Sequence, residues 1–310
     1  MDKPLVSFLI AAYNEEKYIE ECIDSCLSQT YENIEVCVTD DGSTDRTLEI
    51  LKRKYGTNPK VKIATLGHNK GKVVAFNNSY KMASGEYFAL IGADDVALVD
   101  RIEKSLEFAL KNNYDLIWGR NRECDEFLIP RKIKIQKSIE KNKINLENLL
   151  NGNFVYGSTV MFNKKIANKA FPIPESLKFE DWWLGFIAML NGKIGFLDLE
   201  LTNYRIHSKN DSIGEDLFES RKNDFKRHFA YYEEFRKYIE SDKNSKSRIR
   251  LIKKIRRNIL MRNIFLEKQV LKRFFYLFKE LDLLSLNKIY FKIIIYTIFG
   301  NKILKLRKRF

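Results

Sequence analysis

Four apolar runs in the first third of the chain stop abruptly at polar residues. Residues 6–12 give way to Tyr13-Asn14-Glu15, residues 34–39 to Asp40-Asp41-Gly42-Ser43-Thr44-Asp45, residues 61–66 to Asn69-Lys70-Gly71-Lys72, and residues 87–91 to Gly92-Ala93-Asp94-Asp95. A short, unbroken apolar run bounded by turn residues is a strand buried on both faces. The first three runs lead into apolar positions at helical spacing: Ile19, Ile23, Cys26 and Leu27; then Leu48, Ile50 and Leu51, with Ser43 or Thr44 as the expected cap; then Ala75 to Met82. Strands alternating with helices at this rhythm require an α/β fold, a mostly parallel sheet with helices on both faces.

In such a sheet ligands sit outside the carboxyl ends of the strands. Any one of the polar ends could be a capped turn. Three converging on one edge, at Tyr13-Asn14-Glu15, Asp40-Asp41 and Asp94-Asp95, are better explained by a shared ligand. Adjacent carboxylates at a strand end suit Mg2+ or Mn2+, which bind through one or two carboxylates plus substrate phosphates. No GxGxxG and no GxxxxGK[ST] occurs, so a diphosphate would need a metal, and Asp94 and Asp95 could hold it.

Further along, residues 115–119 read as a strand, residues 120–151 as a charged connection, and residues 154–162 as strand-like, with Gly157-Ser158 marking a bulge or a close backbone approach. Glu180 and Asp181 open a helix, where carboxylates favour the dipole; one of them could equally be a general base. Residues 201–207 form a strand in which Arg205 and His207 alternate, so both can face one side and meet a phosphate.

These residues together resemble the inverting family 2 glycosyltransferases of the GT-A fold, over roughly residues 4 to 215. Asp40-Asp41-Gly42-Ser43-Thr44-Asp45 is similar to that family's nucleotide-binding turn, Gly92-Ala93-Asp94-Asp95 stands where its DXD metal motif belongs, and Glu180-Asp181 is similar to its ED pair. The resemblance implies direct displacement at the anomeric carbon of a nucleotide-activated sugar, most commonly a UDP-sugar. Asp181 would be the base, with Glu180 beside it. Ala11, Tyr13, Asn14, Glu15, Asp40, Asp41, Gly71, Lys72, Ala93, Asp94 and Asp95 would surround the donor nucleotide. Arg205 and His207 would meet the diphosphate, with Gly157, Ser158 and Trp182 on the acceptor side. Mn2+ or Mg2+ would be held by Asp94, Asp95 and His207. The implied activity is hexosyl or N-acetylhexosaminyl transfer to a glycan or glycolipid in bacterial lipopolysaccharide, capsule or related polysaccharide synthesis. Gly92 stands where the first Asp of DXD would be, which implies weaker metal affinity and leaves a nucleotide-sugar binding module without turnover as the alternative.

The net charge of +14 is unevenly placed, with 26 Lys and Arg against 10 Asp and Glu from Asp216 onward and 29 against 31 before it. The expected division is therefore a catalytic domain over residues 1–215 and a basic, mainly helical extension over 216–310. In the extension Phe218, Phe225, Phe229, Tyr232 and Phe235 recur near helical spacing. Residues 247–266 set Ile252, Ile255 and Ile259 against Lys253, Lys254, Arg256 and Arg257, the pattern of a basic amphipathic helix on anionic lipid. The apolar run within residues 289–306 is too short to span a bilayer. Peripheral attachment to the inner face of the plasma membrane is the expectation; a helical bundle or dimerisation arm is the other use of such a segment. No helix-turn-helix, RRM or zinc-finger signature accompanies the charge, so nucleic acid is not an expected partner. Cys22, Cys26, Cys37 and Cys124 have no zinc-like spacing, so a reduced cytoplasm is expected.

Overall fold

The structure, a computed structural model, describes residues 3–131, 139–208, 210, 217–241, 250–255 and 257–258. The chain divides into two compact units, Met1–Gly214 and Glu215–Phe310. In the first unit the alternating elements are β1 (Val6–Ala12), α1 (Ile19–Leu27), β2 (Ile34–Asp40), α2 (Thr47–Tyr55), β3 (Val61–Thr65), α3 (Lys72–Met82) and β4 (Tyr87–Gly92). There follow β5 (Val96–Ala97), α4 (Arg101–Asn112), β6 (Leu116–Cys124), α5 (Leu146–Asn151), β7 (Met161–Asn163), α6 (Lys164–Ala170), α7 (Asp181–Asn191) and β8 (Ile194–Arg205).

One eight-stranded sheet in the order β3-β2-β1-β4-β7-β6-β8-β5 organises the unit. Its first four strands are parallel, while β7 runs antiparallel to both β4 and β6. The sheet is therefore mixed. The parallel register pairs Ala12 with Asp40 and Ala11 with Gly92, so β1, β2 and β4 end level on one edge. Alternate residues of β1 (Val6, Phe8, Ile10 and Ala12) pack with Ile19 and Ile23 of α1, Leu51 of α2 and Ile102 of α4. On α3, the Ser79 hydroxyl donates to the Ile10 carbonyl (2.8 Å) and shares a 2.8 Å hydrogen bond with the Thr39 hydroxyl, tying that helix to β1 and β2.

Several elements differ from the sequence reading. Residues 154–162 do not form one strand: Gly157–Thr159 is a 3-10 turn, and only then does β7 begin. The turn is locked because the Thr159 hydroxyl donates to the Gly119 carbonyl (3.1 Å) and accepts from the Gly119 amide (3.2 Å). The first turn of α2 is held neither by Ser43 nor by Thr44 but by Asp45, whose Oδ1 accepts from the Thr47 amide at 2.9 Å. Ser43 and Thr44 bind the β1 loop instead: the Ser43 hydroxyl accepts from the Asn14 amide (3.0 Å), and the Thr44 amide donates to Asn14 Oδ1 (2.8 Å). β5, α4, α5, α6 and the front half of β8 are additions to the sequence reading.

In the second unit, α8 (Leu217–Ser241) buries Tyr231, Tyr232, Phe235 and Ile239. Phe229, Tyr232 and Phe235 thus lie on a helix as their spacing requires, whereas the side chains of Phe218 and Phe225 lie outside the described residues. Residues 250–255 and 257–258 are helical; the remainder of 247–266 and all of 289–306 lie outside the described residues. Among the described residues no helix is long and apolar enough to cross a membrane.

The turn after β2 tolerates little change. Gly42 has φ +69°, and a Cβ there would stand 2.3 Å from the His68 Cα. Gly42→Ala is expected to lower the unfolding free energy by more than about 1 kcal/mol, read as a reduced urea midpoint.

Candidate active site

The level ends of β1, β2 and β4 form one wall of a cleft of about 730 Å³, closed opposite by the 3-10 turn, the start of α7 and the end of β8. That volume suits a nucleotide-sized ligand. Ala11, Tyr13, Glu15, Asp41, Gly71, Lys72, Ala93, Asp94 and Asp95 line it on one side, and Gly157, Ser158, Glu180 and Asp181 on the other.

Asp41 is 2% exposed and accepts from the amides of Lys70 (2.7 Å) and Gly71 (2.8 Å), fixing the approach to α3. Neither Asp40 nor Asn14 lines this cleft. Asp40 is fully buried and accepts from the Thr65 hydroxyl at 2.9 Å. Asn14, with φ 57°, knits the β1 and β2 loops together. Their polar groups are consumed in shaping the turn that positions Asp41.

At the β4 end the two carboxylates separate. Asp95 is 1% exposed, and its Oδ1 accepts from the Arg205 amide at 3.0 Å. Burial first, and the neighbouring Asp94 charge second, push its carboxyl well above the usual range. Asp94 keeps its side chain partly open, and its Oδ2 meets His207 Nε2 (3.1 Å) and the Asn210 side-chain amide (3.2 Å). A metal would find one accessible carboxylate with an imidazole beside it. Asp95, expected as a second ligand, belongs to the scaffold. Among the described residues no group of three or more His, Cys, Asp or Glu side chains stands ready to enclose a metal. A carboxylate and an imidazole nevertheless fit Mn2+ or Mg2+ when diphosphate and water oxygens complete the octahedron. Gly92 fits this arrangement, since a Cβ there would stand 2.7 Å from Asp94 Oδ1 and 2.8 Å from Asp95 Oδ2.

Arg205 closes β8 and His207 lies just beyond it, and both pack on Tyr18 and reach Asp94. The Arg205 guanidinium is 2% exposed and donates to the Asp94 carbonyl (2.8 Å), the Glu126 carbonyl and the Glu21 carboxylate, with Tyr18 beneath it at 4.5 Å. It therefore braces the Asp94 backbone instead of facing the cleft. His207 packs on Tyr18 in a tilted contact, with ring centroids 4.9 Å apart.

Arg101 was not among the sequence-derived candidates. It is fully buried and donates to the carbonyls of Leu90 (2.6 Å) and Val160 (3.4 Å) and to the Thr202 hydroxyl (3.2 Å), joining three segments behind the acidic edge. Burial lowers its pKa to about 10, against the opposing pull of Cys26 and Asp95. Nothing in the sequence marks it, since an arginine opening a helix reads as a surface residue.

On the acceptor side, Trp182 is 4% exposed and its indole donates to the Leu149 carbonyl at 2.8 Å, so it packs behind the cleft. Glu180 is 3% exposed, and its Oε2 has no hydrogen-bond partner among the described residues. A buried carboxylate oxygen at a cleft wall is suited to a ligand hydroxyl. Burial, reinforced by the Glu180 charge, raises the Asp181 carboxyl to about 7, opposed by Lys72 and by the Trp182 and Gly157 amides. A carboxylate so adjusted takes and returns protons near neutrality.

A family model described as Glycosyl transferase family 2 matches residues 7–171. An uncharacterized glycosyltransferase of Haemophilus influenzae is 34% identical over 183 residues, covering 59% of this chain and 70% of that protein. The Escherichia coli UDP-Glc:alpha-D-GlcNAc-diphosphoundecaprenol beta-1,3-glucosyltransferase WfgD is 28% identical over 223 residues, covering 72% of this chain and 84% of that one. Among solved structures, S. aureus TarS 1-349 in complex with UDP-GlcNAc superposes with a TM-score of 0.65 at 20% identity, covering 91% of this chain and 82% of that one. The mixed sheet and its flanking helices share that fold, and the chain belongs to glycosyl transferase family 2.

Proposed function

We propose that this glycosyltransferase moves a sugar from a UDP-sugar to a hydroxyl of a glycan or glycolipid acceptor, with inversion, in bacterial surface polysaccharide synthesis. The observation that carries the reading is Asp181, a carboxyl at the cleft wall held near the protonation midpoint that a general base needs at neutral pH. The names of WfgD and of the TarS complex support a UDP-linked donor, and that of WfgD a polyprenol-linked acceptor.

The acceptor O–H gives its proton to Asp181 as the oxygen forms a bond to the anomeric carbon. The bond from that carbon to the diphosphate breaks, and its electron pair leaves with UDP. A single displacement inverts the centre. Asp41 holds the loop against which the nucleotide packs, and Tyr13, 41% exposed, offers its ring to the base. The unpartnered oxygen of Glu180 accepts a sugar hydroxyl and orients it toward Asp181. Asp94, with His207 at its side, would hold Mn2+ or Mg2+, which when bound neutralises charge on the leaving diphosphate. The basic extension would keep the enzyme at the inner membrane face, where a lipid-linked acceptor resides.

Asp181→Asn is expected to abolish transfer while leaving UDP binding, measured by calorimetry, within about twofold of wild type; retained turnover would remove Asp181 from the mechanism. The stability sign is opposite to the activity sign. A carboxyl raised from 3.8 to about 7 favours the protonated fold, so its cost grows as pH rises from about 4 and is complete above about 7. Asp181→Asn should therefore melt higher than wild type at pH 8, by a margin that shrinks at pH 5.

Asp94→Ala is expected to reduce Mn2+-supported kcat/KM by about a hundredfold or more, with a loss of Mn2+-dependent tightening of UDP binding seen in the same titrations. Asp95→Ala should instead lower the melting temperature, because it leaves the buried Arg205 amide without its acceptor.

A further inference from the structure

The family resemblance places Lys72 at the donor nucleotide, yet its ammonium lies toward the opposite wall. It sits 3.7 Å from Glu180 Oε1, with the rings of Phe76 and Phe179 at 5.6 and 5.7 Å. Two aromatic faces fix a lysine that would otherwise sample many rotamers. Its backbone position is fixed as well, because the preceding Lys70 and Gly71 amides are both held by Asp41. On the far side, room for Glu180 comes from Gly157, where a Cβ would stand 2.6 Å from the same Oε1 that Lys72 meets. A route of direct contacts thus runs from the nucleotide-side turn through the first residue of α3 to the pair opening α7.

We propose that Lys72 is a positioning residue for the base: its ammonium, fixed between Phe76 and Phe179, holds Glu180 at the start of α7 and supplies the positive charge that offsets the adjacent Glu180 and Asp181 carboxylates. This rests on the reading of Asp181 as general base. Two adjacent carboxylates, Glu180 buried and Asp181 partly so, cannot both ionise cheaply without a compensating cation. Lys72 pulls the Asp181 carboxyl down while burial and Glu180 push it up. The other charged side chains lining the cleft are Asp94 and Asp95 after β4, Glu123 on β6, Glu175 and Lys178 ahead of α7, and Glu15, Asp41 and Lys70 on the nucleotide side. All of them stay in place when only residue 72 is changed.

The test is the titration of the Asp181 side-chain carboxyl by carbon NMR in the full chain, assigned with Asp181→Asn, alongside the pH profile of kcat/KM. In Lys72→Met, or Lys72→Gln should the first variant fold poorly, the Asp181 midpoint is expected to rise by about one pH unit. The acidic limb of kcat/KM should move with it, and Lys72→Arg should restore both. An unmoved midpoint overturns the proposal, and a raised donor KM with an unmoved midpoint would return Lys72 to the donor nucleotide. If Asp181→Asn retained turnover while the midpoint still shifted in Lys72→Met, the base reading would fail and the Lys72 contact would stand.

Discussion

The structure depends on gathering carboxylates at one edge of a sheet without letting their charge push the edge apart. Asp41, Asp94, Asp95, Glu180 and Asp181 all line one cleft, three of them less than 4% exposed. Each is compensated differently. Asp41 is met by two loop amides, Asp95 by a strand amide with the buried Arg101 behind it, Asp94 by His207 and Asn210, and Glu180 by Lys72. The Asp181 carboxyl is raised to about 7 by burial and by Glu180. Groups tuned apart in this way mark a division of labour between scaffold and chemistry.

That division explains what the sequence could reveal. Apolar runs ending in polar residues fix the strands β1, β2 and β4 and the edge where they converge, because burial on both faces leaves no other use for such runs, whereas β3, at the rim of the sheet with Lys62 within it, is only partly buried. The level register of Ala12 with Asp40 and Ala11 with Gly92 follows from that pattern. Which member of each polar cluster faces the ligand does not follow. Asp40 and Asp41 are chemically identical neighbours, yet one is bonded into its own turn and the other reaches the loop before α3. Asp94 and Asp95 divide in the same way, by hydrogen bonds to a strand 110 positions later. Arg205 reads as a phosphate ligand, and only tertiary contacts with Glu21, Glu126 and Tyr18 turn it into a brace.

Gly92 is the residue at which sequence reasoning and geometry differ most in emphasis. Read as a missing carboxylate, it implies a weakened metal site. In the structure it is the clearance over which the carboxylates of Asp94 and Asp95 fold back, so the edge has one accessible ligand. A divalent cation held at such a lean site would take more of its coordination from the donor's own oxygens than in a preformed cage.

The proposed chemistry rests on Asp181, raised to about 7 by burial and Glu180 against the pull of Lys72, as the proton acceptor of the transfer. The pH dependence of kcat/KM with saturating Mn2+ tests it most directly. With Asp181 as the base, kcat/KM is expected to rise tenfold per pH unit below about 7 and to reach a plateau above it, as the base form fills. A profile that stays flat from pH 5 to 8, or one that falls as Asp181 ionises, would contradict it.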